Sequence, residues 1–387
     1  MNEQQPATPS PIRRETPGSA PRFTPRRLWE RIVYLFAVAL MRLVGALPPR
    51  PVEALFATLA PLAYLLWPAK RRIANSNAAV VLGVADPDGN PLPGSEAAVR
   101  ARAIANYRSY GRFTAELLRL PSRSLDAISA EVDLRETTVL DELKSRGQAA
   151  VFVGFHAGNN ELGAASLGKK AYDVSVVADD TAFPEMYELL RRVRASWGIK
   201  VIDWRAIREV FGVMRRGGVL VLLIDWGWKP DGIPCQLFGR WTTLPSGPAV
   251  IAARGNAPII PFFVRRERPG AFYILYGAPI SAGNGSPAAQ LAATQETAHQ
   301  MERLIRTEPT QWNCFKPLWP DAVEQQRLEA LAALMATQHE RGAKSERCDT
   351  WRALSETKWL VAQRSLDSRF FHIYQSNSYY SLHVHGE

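Results

Sequence analysis

Six short apolar runs punctuate the middle of this chain: AAVFVGF (149–155), YDVSVVA (172–178), KVID (200–203), VLVLLID (219–225), PIIPFFV (258–264) and FYILYG (272–277). Helix-length stretches near 159–168, 184–198, 206–216 and 246–255 separate most of them. Strand-sized runs alternating with amphipathic helices constrain the fold to an α/β sheet, largely parallel, with helices on both faces. The runs are almost continuously apolar, as strands buried on both sides must be. Ligands of such sheets bind beyond the carboxyl ends of the strands, so the residue that follows each run matters most. VFVGF leads directly into His156, and VLVLLI ends in Asp225.

The α/β domain is expected over 73–320. A long amphipathic helix at 96–119 precedes the sheet; a helix at 287–307, the Trp-rich segment QWNCFKPLWP and a C-terminal helix at 321–340 follow it. Residues 1–25 are rich in Pro and polar side chains and are expected to be a disordered tail without signal-peptide character. Residues 341–387 read as a polar tail. Between tail and sheet, 26–72 reads as a hydrophobic helical hairpin made of two runs, Ile32 to Leu47 and Val52 to Trp67, separated by Pro48, Pro49 and Pro51. Sixteen helical residues reach about 24 Å, short of the roughly 30 Å hydrocarbon core. Ile32, Leu35, Phe36, Ala39, Leu40, Leu43, Val44 and Leu47 repeat at helical spacing, while Arg27, Arg31 and Arg42 share another stripe. That pattern suits a helix lying in a membrane interface, with Trp29, Trp67 and Lys70-Arg71-Arg72 at headgroup level. An ordinary hairpin buried in the domain is the alternative.

The charge balance, 47 Lys plus Arg against 37 Asp plus Glu, is +10 and implies an acidic partner. Nucleic acid fits poorly, because the cations are spread along the chain and no recognition motif occurs. Cys235, Cys314 and Cys348 lack CxxC spacing, which argues against a disulfide framework or a structural zinc. GAASLGKK (163–170) approaches a phosphate-binding loop but has Lys170 where Ser or Thr must bind magnesium. No GxSxG elbow is present, which weakens an α/β-hydrolase reading. Neither a metal nor a cofactor is expected.

His156 and Glu161 are five residues apart, about 140° around a continuous helix, so they can cooperate only across a break. If His156 ends the strand, Asn159 or Asn160 can cap the next helix and Glu161 falls in its first turn. A histidine beside a carboxylate is a general base for a hydroxyl, since the carboxylate sets the tautomer and stabilises the imidazolium. A capping segment with an incidental histidine fits the same residues.

FHAGNNELGAA, a strand followed by a His-X4-Glu box, resembles the acyltransferase box of the bacterial lipid A biosynthesis acyltransferase family, relatives of the phosphatidylinositol mannoside and lysophospholipid acyltransferases. RRVRASWGIKVID, with Arg194 before Gly198, LLIDWGW, and QLFGRWTTLPSGPAVIAARGNAPIIPFFVRR resemble its later segments in order; PTQWNCF echoes its Trp-containing segment weakly. The resemblance spans about residues 27–320. It implies a glycerol-3-phosphate acyltransferase-like fold: a central, mostly parallel sheet flanked by helices, with an N-terminal hydrophobic hairpin. It also implies transfer of a fatty acyl group from a thioester on acyl carrier protein or coenzyme A to a hydroxyl of a lipid acceptor. The implied location is the cytoplasmic face of the inner membrane, monotopic or single-pass.

His156 would then be the base, and two carboxylates, Glu161 and Asp225, compete to orient it. One is expected to contact the histidine while the other holds Arg194 in a buried ion pair; a solvated basic face with Arg191 and Arg192 is the other reading of Arg194. Arg240 is a candidate phosphate ligand or an exposed loop arginine. Asn159 lines the site or caps its helix. The rival function is a catalytically inactive lipid-surface binding protein of the same fold.

Overall fold

The computed structural model describes residues 25–134, 137–178 and 184–337. The expected tails, apart from Pro25 and with them Cys348 and the last four histidines, lie outside the described residues.

The N-terminal segment is more broken than a hairpin. Helix α1 (Pro25–Ala46) is followed by α2 (Pro49–Leu59), α3 (Pro61–Leu66) and α4 (Pro68–Leu82), each begun by a proline at its first position. Proline lacks an N–H and is tolerated in the first turn only, so Pro61 cuts the second apolar run and Pro68 ends it. These helices pack on α5 (Glu96–Arg119), where a Cβ on Gly111 would sit 2.4 Å from the Phe56 carbonyl oxygen. Met41 and Val44 of α1 are buried, whereas Ile32, Leu35, Phe36 and Leu43 are exposed. The single apolar stripe seen in the sequence therefore divides between protein and surroundings.

After α6 (Leu125–Glu131) and the two-residue strand β1 (Val132–Asp133), α7 (Thr138–Ser145) leads into the sheet proper. In chain order come β2 (Ala150–Gly154), α8 (Asn160–Lys169), β3 (Val174–Ala178), α9 (Pro184–Ser196), β4 (Lys200–Asp203), α10 (Ile207–Arg215) and β5 (Val219–Leu223). A two-stranded hairpin, β6 (Ile233–Leu237) and β7 (Arg240–Leu244), then precedes α11 (Gly247–Gly255). The last strands, β8 (Ile259–Arg268) and β9 (Ala271–Tyr276), lead to α12 (Pro287–Thr307) and α13 (Ala322–Thr337). All six apolar runs are strands, and the P-loop look-alike is the body of α8.

The seven-stranded sheet has the order β1-β9-β8-β2-β5-β3-β4, with β8, β2, β5, β3 and β4 mutually parallel and β9 antiparallel to β8. Every residue of β2, the central strand, is buried. Its even and odd side chains feed two cores: Val151, Val153 and Phe155 on one face, Ala150 and Phe152 on the other. Burial of side chains such as Phe152 and Phe155 contributes about 1.5–3 kcal/mol each, and it makes this strand a rigid mount for whatever follows it.

Candidate active site

The mount carries His156. Strands β2 and β5 are parallel neighbours paired Gly154 with Leu223, so continuing the register two residues sets His156 opposite Asp225. The pairing reaches the loop itself: Ile224 N–H donates to the Gly154 carbonyl at 3.1 Å. Asp225 Oδ1 lies 2.6 Å from His156 Nδ1, and the His156 backbone N–H donates to both carboxylate oxygens at 3.0 and 2.9 Å. Trp312 Nε1 donates to Oδ2 at 2.8 Å. The Asp225 side chain is wholly buried, while that of His156 is 28% exposed. With the carboxylate accepting Nδ1–H, the lone pair of the neutral ring belongs to Nε2.

Two opposing effects set the His156 pKa. Burial lowers it, but the Asp225 charge and its hydrogen bond to the ring reverse this and hold it above the ordinary 6.5. Burial raises Asp225, yet the His156 and Trp312 contacts keep it below its usual range. The Trp226 ring lies beside the imidazole, centroids 5.4 Å apart.

The loop after His156 is held from three sides. Ala157 bridges Trp312, Asn313 N–H donates to the His156 carbonyl at 2.7 Å, and Gly158 N–H donates to the Gln311 carbonyl at 3.1 Å. Gly158 has φ +56°, and a Cβ there would fall 1.7 Å from the Val264 oxygen; no other residue fits. Asn159 is the N-cap: its Oδ1 accepts from Leu162 N–H. Its amide also donates to Glu116 Oε2 at 2.8 Å. Asn160 instead opens α8, and its amide reaches back to the Phe155 carbonyl at 2.9 Å.

Glu161, in the first turn of α8, does not touch the histidine. It accepts two hydrogen bonds from Arg194, Nε at 2.9 Å and Nη2 at 2.5 Å, with both side chains at most a fifth exposed. Burial would raise Glu161, but the guanidinium holds it below the usual carboxylate range. The two acids thus divide as the sequence had left open: Asp225 takes His156 and Glu161 takes Arg194, tying α8 to α9. Arg240 is not among the residues brought against His156. Its guanidinium donates to the carbonyls of Asp86 and Pro87, which anchors the β6–β7 hairpin.

Sequence reasoning missed a second buried ion pair. Glu116 of α5 and Arg266 of β8 pair through Nε–Oε1 at 2.6 Å and Nη2–Oε2 at 2.8 Å, each side chain 5% exposed. Gln311 brackets the Arg266 backbone, accepting from its N–H at 2.8 Å and donating to its carbonyl at 2.6 Å. Asn159 thereby joins the loop after His156 to this pair. Glu53 of α2 is buried nearby; burial first, and the Glu116 charge second, push it up to about 7. The available signal was a lone acid among the buried positions of α5: Ala103, Tyr107, Gly111 and Ala115.

The family model for bacterial lipid A biosynthesis acyltransferases matches residues 20–321. The chain belongs to that family. Its mostly parallel sheet and flanking helices are the architecture that the sequence resemblance implied, and membership makes it an acyltransferase with an acyl donor and a lipid acceptor. Among curated proteins it is similar to two phosphatidylinositol mannoside acyltransferases of Mycobacterium tuberculosis. Each is 27% identical over 56% of this chain and 69% of the relative. One from Mycolicibacterium smegmatis is 24% identical over 56% of this chain and 71% of its own length. Across the family assignment, the residues brought together at the carboxyl edge of the sheet are those of the matched region. No group of three or more His, Cys, Asp or Glu side chains suited to a metal occurs among the described residues.

Proposed function

We propose that the chain is a membrane-associated O-acyltransferase. It moves a fatty acyl group from a thioester on acyl carrier protein or coenzyme A to a hydroxyl of a lipid A precursor or a related glycolipid or phospholipid. The observation that carries this reading is the 2.6 Å contact between His156 Nδ1 and a carboxylate held by three N–H donors. His156 Nε2 takes the hydroxyl proton as that oxygen attacks the thioester carbonyl. The C–O bond forms, the tetrahedral intermediate collapses, the C–S bond breaks, and the imidazolium returns its proton to the departing thiolate. Asp225 orients the ring and compensates the imidazolium charge, contributions typical of general-base catalysis at about 10²–10⁴-fold. Glu161 and Arg194 act as positioning residues for α8.

Membrane association is supported by the N-terminal helices. Ile32, Leu35, Phe36, Leu43, Leu55, Leu59, Leu62, Leu65, Leu66 and Trp67 are all exposed, an apolar surface of the kind that seats in lipid. Arg31 and Arg42 on α1 and Arg72 on α4 supply cations for anionic headgroups. No single helix among the described residues is long and apolar enough to cross a membrane; 49–66 and 68–82 pass together but bend by 105°. On this reading the chain sits at the cytoplasmic face of the inner membrane, monotopic or single-pass.

The test is acyl transfer from a long-chain thioester to a lipid extract in detergent micelles, wild type against His156→Ala. Transfer is expected to fall by about 10²-fold or more while the circular dichroism spectrum is kept. Equal transfer by the folded alanine variant would remove His156 from the mechanism and favour the non-catalytic lipid-surface reading.

A further inference from the structure

Beside Trp226 stands a group of cations that the acyl-transfer chemistry leaves unused. Lys316 Nζ lies 4.8 Å from the Trp226 ring centroid, and that ring is the one packed against His156. Lys316 sits in a rigid setting: its carbonyl and that of Cys314 both accept from the Asn77 amide, at 2.9 and 3.0 Å. Asn77 and Lys70 are seven residues apart on α4, so they share a helix face. Lys70 therefore belongs to the face of α4 that meets this segment, with its Nζ 5.8 Å from the Trp67 ring. Lys229 enters from the loop after Asp225. Its N–H donates to Thr243 Oγ1 at 3.0 Å, and the neighbouring Trp228 N–H donates to the Pro317 carbonyl at 2.9 Å.

We propose that Lys316, Lys70 and Lys229 form a subsite beside His156 for a phosphate group carried by one of the two substrates. The proposal rests on the acyl-transfer reading and names the chemistry which that site recognises besides hydroxyl and thioester. The Lys70 and Lys229 charges both bear on Lys316, so the three cations repel one another in the free protein. Burial, then Lys70, then Lys229 hold the Lys316 pKa below its ordinary 10.5. Like charges held together next to a catalytic group mark a site prepared for an anion. A phosphate at this place satisfies all three at once with charge-assisted hydrogen bonds. The phosphate comes either from the donor, as in the phosphopantetheine arm or coenzyme A, or from a phosphorylated lipid acceptor.

Inorganic pyrophosphate is the direct probe, titrated by calorimetry into the full-length protein. Binding by the wild type is expected to weaken about tenfold in Lys316→Gln, one charge-assisted contact, and to be retained in Lys316→Arg. Lys70→Gln, on a helix surface away from the Trp226 contact, provides a second variant should Lys316→Gln fold poorly, with the same direction expected. No pyrophosphate binding by the wild type, or binding that both glutamine variants leave unchanged, overturns the proposal whatever the acyl-transfer assay reports.

Kinetics then separate the two sources. A KM increase for palmitoyl coenzyme A but not for S-palmitoyl pantetheine, which lacks phosphate, assigns the subsite to the donor. An increase for a phosphorylated lipid acceptor but not for a neutral glycolipid assigns it to the acceptor. An unchanged KM for all four overturns it. Loss of the acyl-transfer reading registers separately, as His156→Ala retaining activity.

Discussion

Two carboxylates beyond the carboxyl ends of neighbouring strands, Asp225 after β5 and Glu161 at the start of α8, do different things. Asp225 is gripped by three N–H donors and faces an imidazole that can gain or lose a proton; Glu161 is gripped by a guanidinium that does not titrate. A carboxylate can shift a neighbour's protonation only where that neighbour is able to change charge, which holds for Asp225 beside His156 and not for Glu161 beside Arg194. His156 and Glu161 respond to opposite ends of the pH scale. His156 is raised above its unfolded value, so its contact stabilises the fold fully below about 6.5 and that contribution is lost as pH rises through the folded pKa. Glu161 is depressed, so its contribution is present above the ordinary carboxylate value of 4.5 and is lost as pH falls through the folded one.

Of the changes that separate these two carboxylates, removing the cation from Glu161 is expected to have the largest effect on stability. Arg194→Ala leaves Glu161 in a mostly buried place without its partner, a loss of about 2–4 kcal/mol once partial solvent access is allowed for. Urea unfolding measures it, and the position of the pH–rate limb should not move. A shifted limb would mean that Glu161 and Arg194 act on the histidine after all.

A smaller effect is expected on the Asp225 side. Trp312→Phe keeps an aromatic ring in the core but deletes the donor to Oδ2, costing about 1–3 kcal/mol and lowering kcat about tenfold as the carboxylate loses one of its anchors. A variant with wild-type kcat would show that the His156 backbone and ring contacts alone position Asp225.

The same contrast explains what could be read in the sequence. Six strands were legible because each is a compact apolar run, and the ends of two pointed to His156 and Asp225. The β6–β7 hairpin was not, since IPCQL carries a proline and a polar residue and RWTTL is short and mixed; its turn uses Phe238 at φ +52°, a conformation more usual for Gly or Asn. The second apolar run of the N-terminal segment, Val52 to Trp67, is two helices rather than one, because proline's missing N–H outweighs apolar continuity. His156 and Glu161 were visible as a box, yet which acid meets the histidine depends on the β2–β5 register, a pairing between runs far apart in the chain. Trp312 and the Glu116–Arg266 pair stayed hidden for the same reason. Their partners lie on other elements, and nothing local marks a tryptophan as the donor to a distant carboxylate.

The central claim, that Asp225 rather than Glu161 tunes the base, is tested most directly by the pH dependence of kcat/KM in Asp225→Asn and Glu161→Gln. The wild-type rate should rise with pH through an apparent pKa above 6.5 as the imidazole loses its proton. In Asp225→Asn the raising influence is gone and burial remains, so the limb should move to lower pH while the plateau falls by about 10²-fold or more. Glu161→Gln should keep the limb in place at a reduced plateau. A limb displaced in Glu161→Gln and unmoved in Asp225→Asn would contradict the account.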